Sequence, residues 1–527
     1  MKPISGFARA MIVLTTISAS VIELLDTTIV NVALNQMAGS LGATIEDIAW
    51  VITSYAIANV IIIPMTGFLG QYFGRKNYYL TSIIIFGISS YLCGMSTGLW
   101  ELVFWRFIQG IGGGALLSTS QAILFDAFPP NQRGMASGLF GMGVVLGPTL
   151  GPSLGGYIVD NYAWSEIFFV NIPICILAII LTITFIEKRS GEGEQKDQIS
   201  IDYLGISLLI IGIGALQYIL ERGESQDWFQ SREIILLTLL AAIGLIGFVV
   251  QELNTAHPVV NLRVFQNRTF AFSSLFVLIS GFGLFTSVFV YPVMVQRING
   301  FTPYETGLSL LFPTLSALIL FPIIGRRMSA GASPIPYIII GILIFSTFCF
   351  LSGTATPDMG RWDFFGIQLL RTVGTAMLQL PLINNSVAGL KPSEYPAGIS
   401  LTNMIRQLGG AFGIAVANNY VTLQYAQHRG DLVANMTDTN PIFVERLAII
   451  KANMMRVSGD AVYATQQAYR QLELALDRQS YYLAYLDTFR FVAIFFLAIL
   501  PFVFLLRAKK KTAEELAEMN KATAEAH

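Results

Sequence analysis

Charge is what this chain has least of. Only 12% of its 527 residues are charged, half of the roughly 25% found in an ordinary soluble domain. A water-facing surface along most of the chain is therefore excluded. The signs also balance, 32 Lys and Arg against 33 Asp and Glu, which leaves no bulk electrostatic case for nucleic-acid binding. Cysteine is nearly absent: Cys93, Cys175 and Cys349 each sit inside an apolar run. That excludes a disulfide framework or a thiolate metal centre, and the three read as small buried hydrophobes. No phosphate-cradling Walker loop occurs, so neither ATP nor any other cofactor is implied, and nothing suggests an enzyme.

What the chain has instead is apolar length. Hydrophobic residues make up 54%, mean hydropathy is +0.61, and long apolar runs alternate with short polar ones. A bilayer span needs about 20 such residues. Fourteen runs qualify: 10–34, 47–69, 78–97, 101–125, 134–159, 166–186, 204–221, 233–251, 270–296, 304–325, 335–353, 363–388, 396–425 and 486–506. Lys2 and Arg9 precede the first run as in a secretory signal. That run is too long, holds two acids and lacks a small-residue cleavage site, so it reads as a retained span. In lipid the backbone must satisfy itself within each span, which leaves helices. The expected fold is all-α.

An even number of spans puts both termini on one side, and Lys and Arg choose the side. With the termini inside, the inner loops hold Arg75, Lys76, Arg133, Lys188, Arg189, Lys196, Arg263, Arg268, Arg326, Arg327 and Lys391. The tails add Lys2, Arg9, Arg507, Lys509, Lys510, Lys511 and Lys521. The short outer loops hold only Arg222, Arg232, Arg297 and Arg361. Both termini are expected in the cytoplasm. Two stretches break the short-loop pattern. Residues 187–202 form a polar inner linker, and 426–485 form a long outer segment. There Ile442, Leu447, Ile450 and Met454 share one helical face before a turn at Ser458–Asp460. This hairpin caps the bundle, lies on the membrane or docks another protein.

The chain also repeats itself. GPTLG at 147–151 and GGAFG at 409–413 lie in spans of the same direction, and Arg106 and Arg371 recur at nearly the same offset. Parallel half-repeats mark a transporter with its site between the halves. Six spans fall in each half, 1–190 and 270–506. Residues 191–269 supply the linker and an inserted pair of spans, and 507–527 a polar tail.

The first span, around IELLDTTIV, carries Glu23 and Asp26. An acid at mid-bilayer costs about 2.5–3.5 kcal/mol on insertion scales, so the pair needs a functional account. On a helical wheel Glu23, Asp26, Thr16, Thr27, Ser20 and Asn31 collect in an arc of about 140°. A polar stripe beside carboxylates suits a water-accessible cavity and proton exchange. Arg106 lies at a matching depth in span four, within reach of Asp26 across a gap of roughly 5 Å along the membrane normal. In span five Gly143, Gly147, Gly151 and Gly155 recur every four residues, with Pro148 and Pro152 among them. Such a stripe lets helices approach closely.

Together these stretches resemble the major facilitator superfamily, and within it the 14-helix drug:proton antiporters of the EmrB/QacA type. LDTTIVNVAL (25–34) is similar to the family's first-helix motif, with Asn35 where a proline is usual. LVFWRFIQGIGGG (102–114) matches the motif whose arginine couples protons, a role the resemblance places on Arg106. The Gly/Pro run matches the antiporter motif, and WSEIFFVNIPI (164–174) the start of the sixth helix. GFLGQYFGRK (67–76) fits the inner gating loop with Gly67, Gly74, Arg75 and Lys76, but Gln71 replaces the usual acid and weakens the charge clamp. The resemblance implies proton-driven export of hydrophobic or amphipathic compounds across a bacterial inner membrane. It further implies a periplasmic adaptor of the EmrA type at 426–485. Polar or aromatic residues within spans, Tyr55, Asn59, Gln217, Tyr291, Gln379 and Asn384, are candidate substrate contacts. Two alternatives stay open: a proton-coupled transporter of a defined metabolite or siderophore, and a membrane receptor or scaffold using the hairpin. A scaffold has no need of two intramembrane carboxylates.

Overall fold

The computed structural model describes residues 5–129, 132–188, 201–391 and 394–506. The core of the polar linker, the C-terminal tail and the basic residues counted there lie outside the described residues, as does Lys2. Among the described residues the chain is helical throughout. The first half holds α1 (Gly6–Leu41), the short α2 (Ile45–Ile48), α3 (Trp50–Phe73), α4 (Arg75–Met95), α5 (Leu99–Ala127), α6 (Arg133–Asn161), the short α7 (Glu166–Phe169) and α8 (Asn171–Phe185). The inserted pair is α9 (Tyr203–Arg222) and α10 (Arg232–Asn254). The second half holds α11 (Arg268–Met294), α12 (Pro303–Thr314), α13 (Ala317–Ser329), α14 (Pro334–Ser352), α15 (Asp363–Ala388), α16 (Tyr395–Val433), α17 (Pro441–Ser458) and α18 (Ala461–Ile499).

Eleven membrane-length stretches among the described residues are long and apolar enough to span a bilayer. Three more long helices, α5, α15 and α16, fall short of that apolarity. Each of these three carries a buried arginine, Arg106, Arg371 or Arg406. With them the spans number fourteen, one for each run expected from the sequence. The tenth span differs in form, because the chain breaks between α12 and α13 just after Pro313. Proline removes a backbone donor there, which weakens the helix at that point.

Local chemistry sets the ends. The Ser5 side chain caps α1 by accepting from the Ala8 amide, and Gly42 ends the helix in the left-handed region at φ 62°. Thr302 and Glu305 form a reciprocal capping box at the start of α12. Within each half, one glycine-rich helix lies along the first helix: α6 on α1, and α16 on α11. A Cβ at Gly147 would meet Leu24, and a Cβ at Gly413 would meet Phe282. The inserted pair packs glycine on glycine, Gly212 against Gly244. It sits on the seam between the halves, with Gly214 over Ile57 and Ile61 of α3 and Glu224 accepting from Thr422 of α16 at 2.9 Å.

The 426–485 segment is less separate than its sequence suggests. Helix α16 runs on to Val433, and α18 begins at Ala461 and continues into the bundle. Arg429 pairs with Glu473 at 2.9 Å and Asp477 at 3.1 Å, and Tyr425 donates to Asp477 at 2.8 Å. Arg478 donates to the Ile298 carbonyl, and Tyr482 to that of Ala355 at 2.7 Å. Only α17 stands clear, with no buried residue. Its inward face also differs by one position from the sequence expectation. Phe443, Leu447, Ile450 and Met454 are half-buried, whereas Ile442 is 74% exposed. The turn falls where expected, with Gly459 at φ 68° and Asp460 capping α18.

Candidate functional site: two buried carboxylates and their partners

Helix α5 is built to lie against α3. A Cβ at Gly110 would fall 2.6 Å from the Tyr55 carbonyl oxygen, and one at Gly114 would fall 2.6 Å from that of Asn59. The GIGGG run thus seats α5 on Tyr55 and Asn59, and the Tyr55 ring lies over Arg106. On the other side, the Gly143, Gly147, Gly151 and Gly155 stripe of α6 seats α1 through Ile17, Leu24, Thr28 and Ile29. Pro148 and Pro152 are buried within the same helix. These two glycine-lined contacts fix the depth of Glu23 and Asp26.

Asp26 is fully buried, and the first half alone holds it. Arg106 forms an ion pair with its Oδ2. Gln109 Nε2 donates to Oδ1 at 3.1 Å and Asn171 Nδ2 at 2.9 Å. Arg106 also donates to Gln109 Oε1 at 2.8 Å and to the Val51 carbonyl at 3.1 Å, and its guanidinium lies 4.2 Å from the Tyr55 ring centre. Asn171 is tied in turn to Ser90 Oγ at 3.0 Å. A carboxylate held by charge-assisted bonds from three side chains is strongly positioned, and protonating it would remove the charge that pairs with Arg106.

Glu23, one helical turn away, is held differently. Asn59 Nδ2 donates to Oε1 at 3.1 Å, while Oε2 is buried without a hydrogen bond. Its cationic neighbour is Arg406 of α16, in the second half. Tyr55 links the two acids: its ring covers Arg106, and its hydroxyl lies beside Asn59.

The other sequence candidates are placed as follows. Gln379 is buried with Nε2 unbonded. Asn384 accepts from Ser137 of the first half at 2.6 Å. Tyr291 is packed inside the second half, its hydroxyl 2.9 Å from Ser309. Gln217 stands apart on α9 and donates to Glu221 at 3.0 Å. The 67–76 stretch, expected as a loop, is helical except at Gly74, which takes φ 82° between α3 and α4. Arg75 forms an ion pair with Asp126 of α5, which supplies a carboxylate where Gln71 has none, and Lys76 donates to the Ile183 carbonyl at 2.8 Å. Gly67 faces α16, where a Cβ would lie 3.2 Å from the Ala397 nitrogen.

At this Gly74 end the halves are stitched together. Asn403 donates to Ser118 at 3.2 Å and Gln121 at 3.1 Å, and the Met135 amide donates to Ser329 Oγ at 3.0 Å. Farther along, α6 meets α12, where a Cβ at Gly156 would lie 2.9 Å from the Tyr304 nitrogen. Helix α6 therefore touches α1 on one face and α12 and α13 on the other. Sequence reasoning passes over Gln109, Asn171, Asp126 and Arg406. The first two lie inside motifs read for other residues. Arg406 answers to the same rule that singles out Glu23, an ionisable group inside a span.

A two-half helical bundle with a buried, ion-paired carboxylate beside the seam defines a secondary transporter. A model of the Major Facilitator Superfamily matches residues 16–414, and the chain belongs to that superfamily. It is 35% identical over 442 residues to the multidrug export protein EmrB of Escherichia coli strain K12, covering 84% of this chain and 85% of the relative. It is 30% identical over 509 residues to the probable multidrug resistance protein EmrY of the same strain, covering 94% and 95%. In fold it is similar to a bacterial homologue of the human lysosomal transporter Spinster, at a TM-score of 0.56 and 16% identity over 96% of this chain and all of that one.

Proposed function

We propose that this protein exports hydrophobic or amphipathic compounds, drugs among them, across the bacterial cytoplasmic membrane in exchange for protons. The observation that carries the reading is Asp26, a mid-helix carboxylate at 0% exposure whose partners are Arg106, Gln109 and Asn171. A proton on Asp26 removes the charge that holds Arg106 and turns an acceptor into a donor. Helix α1 is then free to shift relative to α5. Because α6 is packed along α1 and also along α12 and α13, such a shift is passed to the seam between the halves. Packed interfaces of this kind switch between discrete arrangements. Substrate and proton thus favour opposite arrangements, which is antiport. No ATP and no cofactor enter this scheme.

The distribution of Lys and Arg supports a cytoplasmic Gly74 end and cytoplasmic termini. On that orientation α17 and the projecting ends of α16 and α18 lie on the outer side, which supports the reading that they meet a periplasmic adaptor of the EmrA type. The test is reconstitution. Purified protein in vesicles with an imposed pH gradient should move a fluorescent drug against its concentration, and a protonophore should stop it. Movement driven equally well without a gradient would remove the antiport reading.

A further inference from the structure

The second half keeps the buried arginine of the first but not its acid. The offset of 265 residues that carries Arg106 to Arg371 carries Asp26 to Tyr291, a phenol. Helices α11, α13 and α14 hold no Asp or Glu, and α12 and α15 hold one each, Glu305 and Asp363, in the first turn. Asp363 accepts from the Gly360 amide at 2.8 Å, and Arg371 lies about 12 Å farther along the axis of α15. Among the described residues no acid of the second half is buried. Yet Arg371 is only 3% exposed, and its Nε has no hydrogen-bond partner. One turn before it Gln368 is fully buried, with neither amide atom bonded. Phe364, Gln368 and Arg371 share one face of α15, within an arc of about 60°. The Tyr291 ring meets that face 5.4 Å from Phe364, and its hydroxyl lies 2.9 Å from Ser309 of α12. An arginine cannot shed its charge by losing a proton, and a buried ion without a counter-charge is strongly unfavourable. The buried face of α15 thus presents a cation and a free carboxamide on adjacent turns, with no acid of its own half to meet them.

We propose that Arg371 and Gln368 bind a small inorganic anion, chloride, which gives the second half the counter-charge that Asp26 gives the first. The guanidinium supplies the positive charge and a fork of N–H donors, and Gln368 Nε2 supplies a further donor. Both side chains are sealed from solvent, so an ion without a tail fits the burial and an amphipathic anion does not. The bound anion is a resident part of the fold and is not cargo, so the inference stands independently of the exporter reading.

The test is thermal unfolding of the purified full chain in mild-detergent micelles, titrated with sodium chloride against sodium gluconate at constant ionic strength. The wild-type midpoint should rise by about 2 °C or more and level off as the site fills, and bromide should replace chloride. Arg371→Gln should unfold at the same temperature in both salts. Gln368→Glu builds a carboxylate one turn from Arg371, within reach of it on the same helix face. That variant should be more stable than wild type in gluconate and gain nothing from chloride, a gain that a packing defect cannot produce. Arg371→Lys, which keeps a charge if the glutamine variant fails to fold, should retain a weaker but saturable chloride response. Identical wild-type midpoints in the two salts, or a chloride response that never saturates, would overturn the proposal. So would an undiminished response in Arg371→Gln, which would place the anion elsewhere, or a wild-type response in Gln368→Glu.

Discussion

Removing one charge of the Asp26–Arg106 pair should cost more than removing both. Asp26→Asn preserves shape but leaves Arg106, at 1% exposure, with Gln109 Oε1, the Val51 carbonyl, a neutral amide and the faces of Tyr55 and Phe168, and no anion. Arg106→Gln leaves Asp26 with Gln109 and Asn171 alone. Breaking a buried pair by removing one partner costs about 3–5 kcal/mol, mostly because the survivor is an uncompensated charge. Asparagine retains hydrogen bonding, so Asp26→Asn should sit at the low end. In the double variant no stranded charge remains, so its loss should fall below either single loss, which requires the sum of the single losses to exceed the double loss by about 3–5 kcal/mol or more, as close charge pairs can supply. The assay is unfolding in mixed micelles by denaturant, run on all four corners of the cycle, with gradient-driven efflux beside it. Stability should partly return in the double variant, while transport stays absent. Additive stability losses would refute the buried-pair reasoning. Transport restored in the double variant would show that the pair is structural only.

Other outcomes follow from the same geometry. Glu23→Gln should reduce efflux less than Asp26→Asn and should hit cationic drugs hardest, read by efflux of a matched cationic and neutral pair. Equal loss for both would assign Glu23 to coupling instead. At Gly151, where a Cβ would lie 2.8 Å from Thr28 Cβ and 3.0 Å from the Ile29 nitrogen, Gly151→Val should overpack the α1–α6 contact. About 1–3 kcal/mol of stability should be lost, and a variant as stable as wild type in the same unfolding assay would contradict the close approach. Asp126→Asn removes an Arg75 partner whose carboxylate is 39% exposed, so stability should change by about 1 kcal/mol or less. Transport rate should fall nonetheless if this contact helps to close the Gly74 end. Replacing residues 437–460 with a short Gly/Ser linker removes α17 while sparing the Arg429, Asp477 and Arg478 contacts. Transport in vesicles should persist and drug resistance in cells should drop; loss of both would make α17 a working part of the transporter.

Much of this was readable from the chain because membrane spans obey a length rule and charges inside them stand out. Every expected run became helical, the tenth in two pieces. The helices outlast the runs because their polar ends continue past the hydrocarbon, as α1 does from Gly6 to Leu41 and α16 does to Val433. Asp26 and Arg106 could be paired in advance because two opposite charges at matching depth have few other places to go. Gln109 and Asn171 could not, since neutral amides are common between membrane helices and spacing alone does not say which one meets a carboxylate. The Glu23–Arg406 relation needed the docking of the two halves, which no local pattern encodes. The α17 face was off by one residue because a short amphipathic helix with several apolar positions permits neighbouring registers.

Exchange of a proton on Asp26 for substrate can be tested by proton counting, without a membrane. Purified protein in weakly buffered detergent is mixed with a neutral drug, and the pH change is followed. Wild type should release protons on binding, and Asp26→Asn should bind the drug and release none from this site. Equal release by both proteins, or drug binding to wild type with no release at all, would contradict the account.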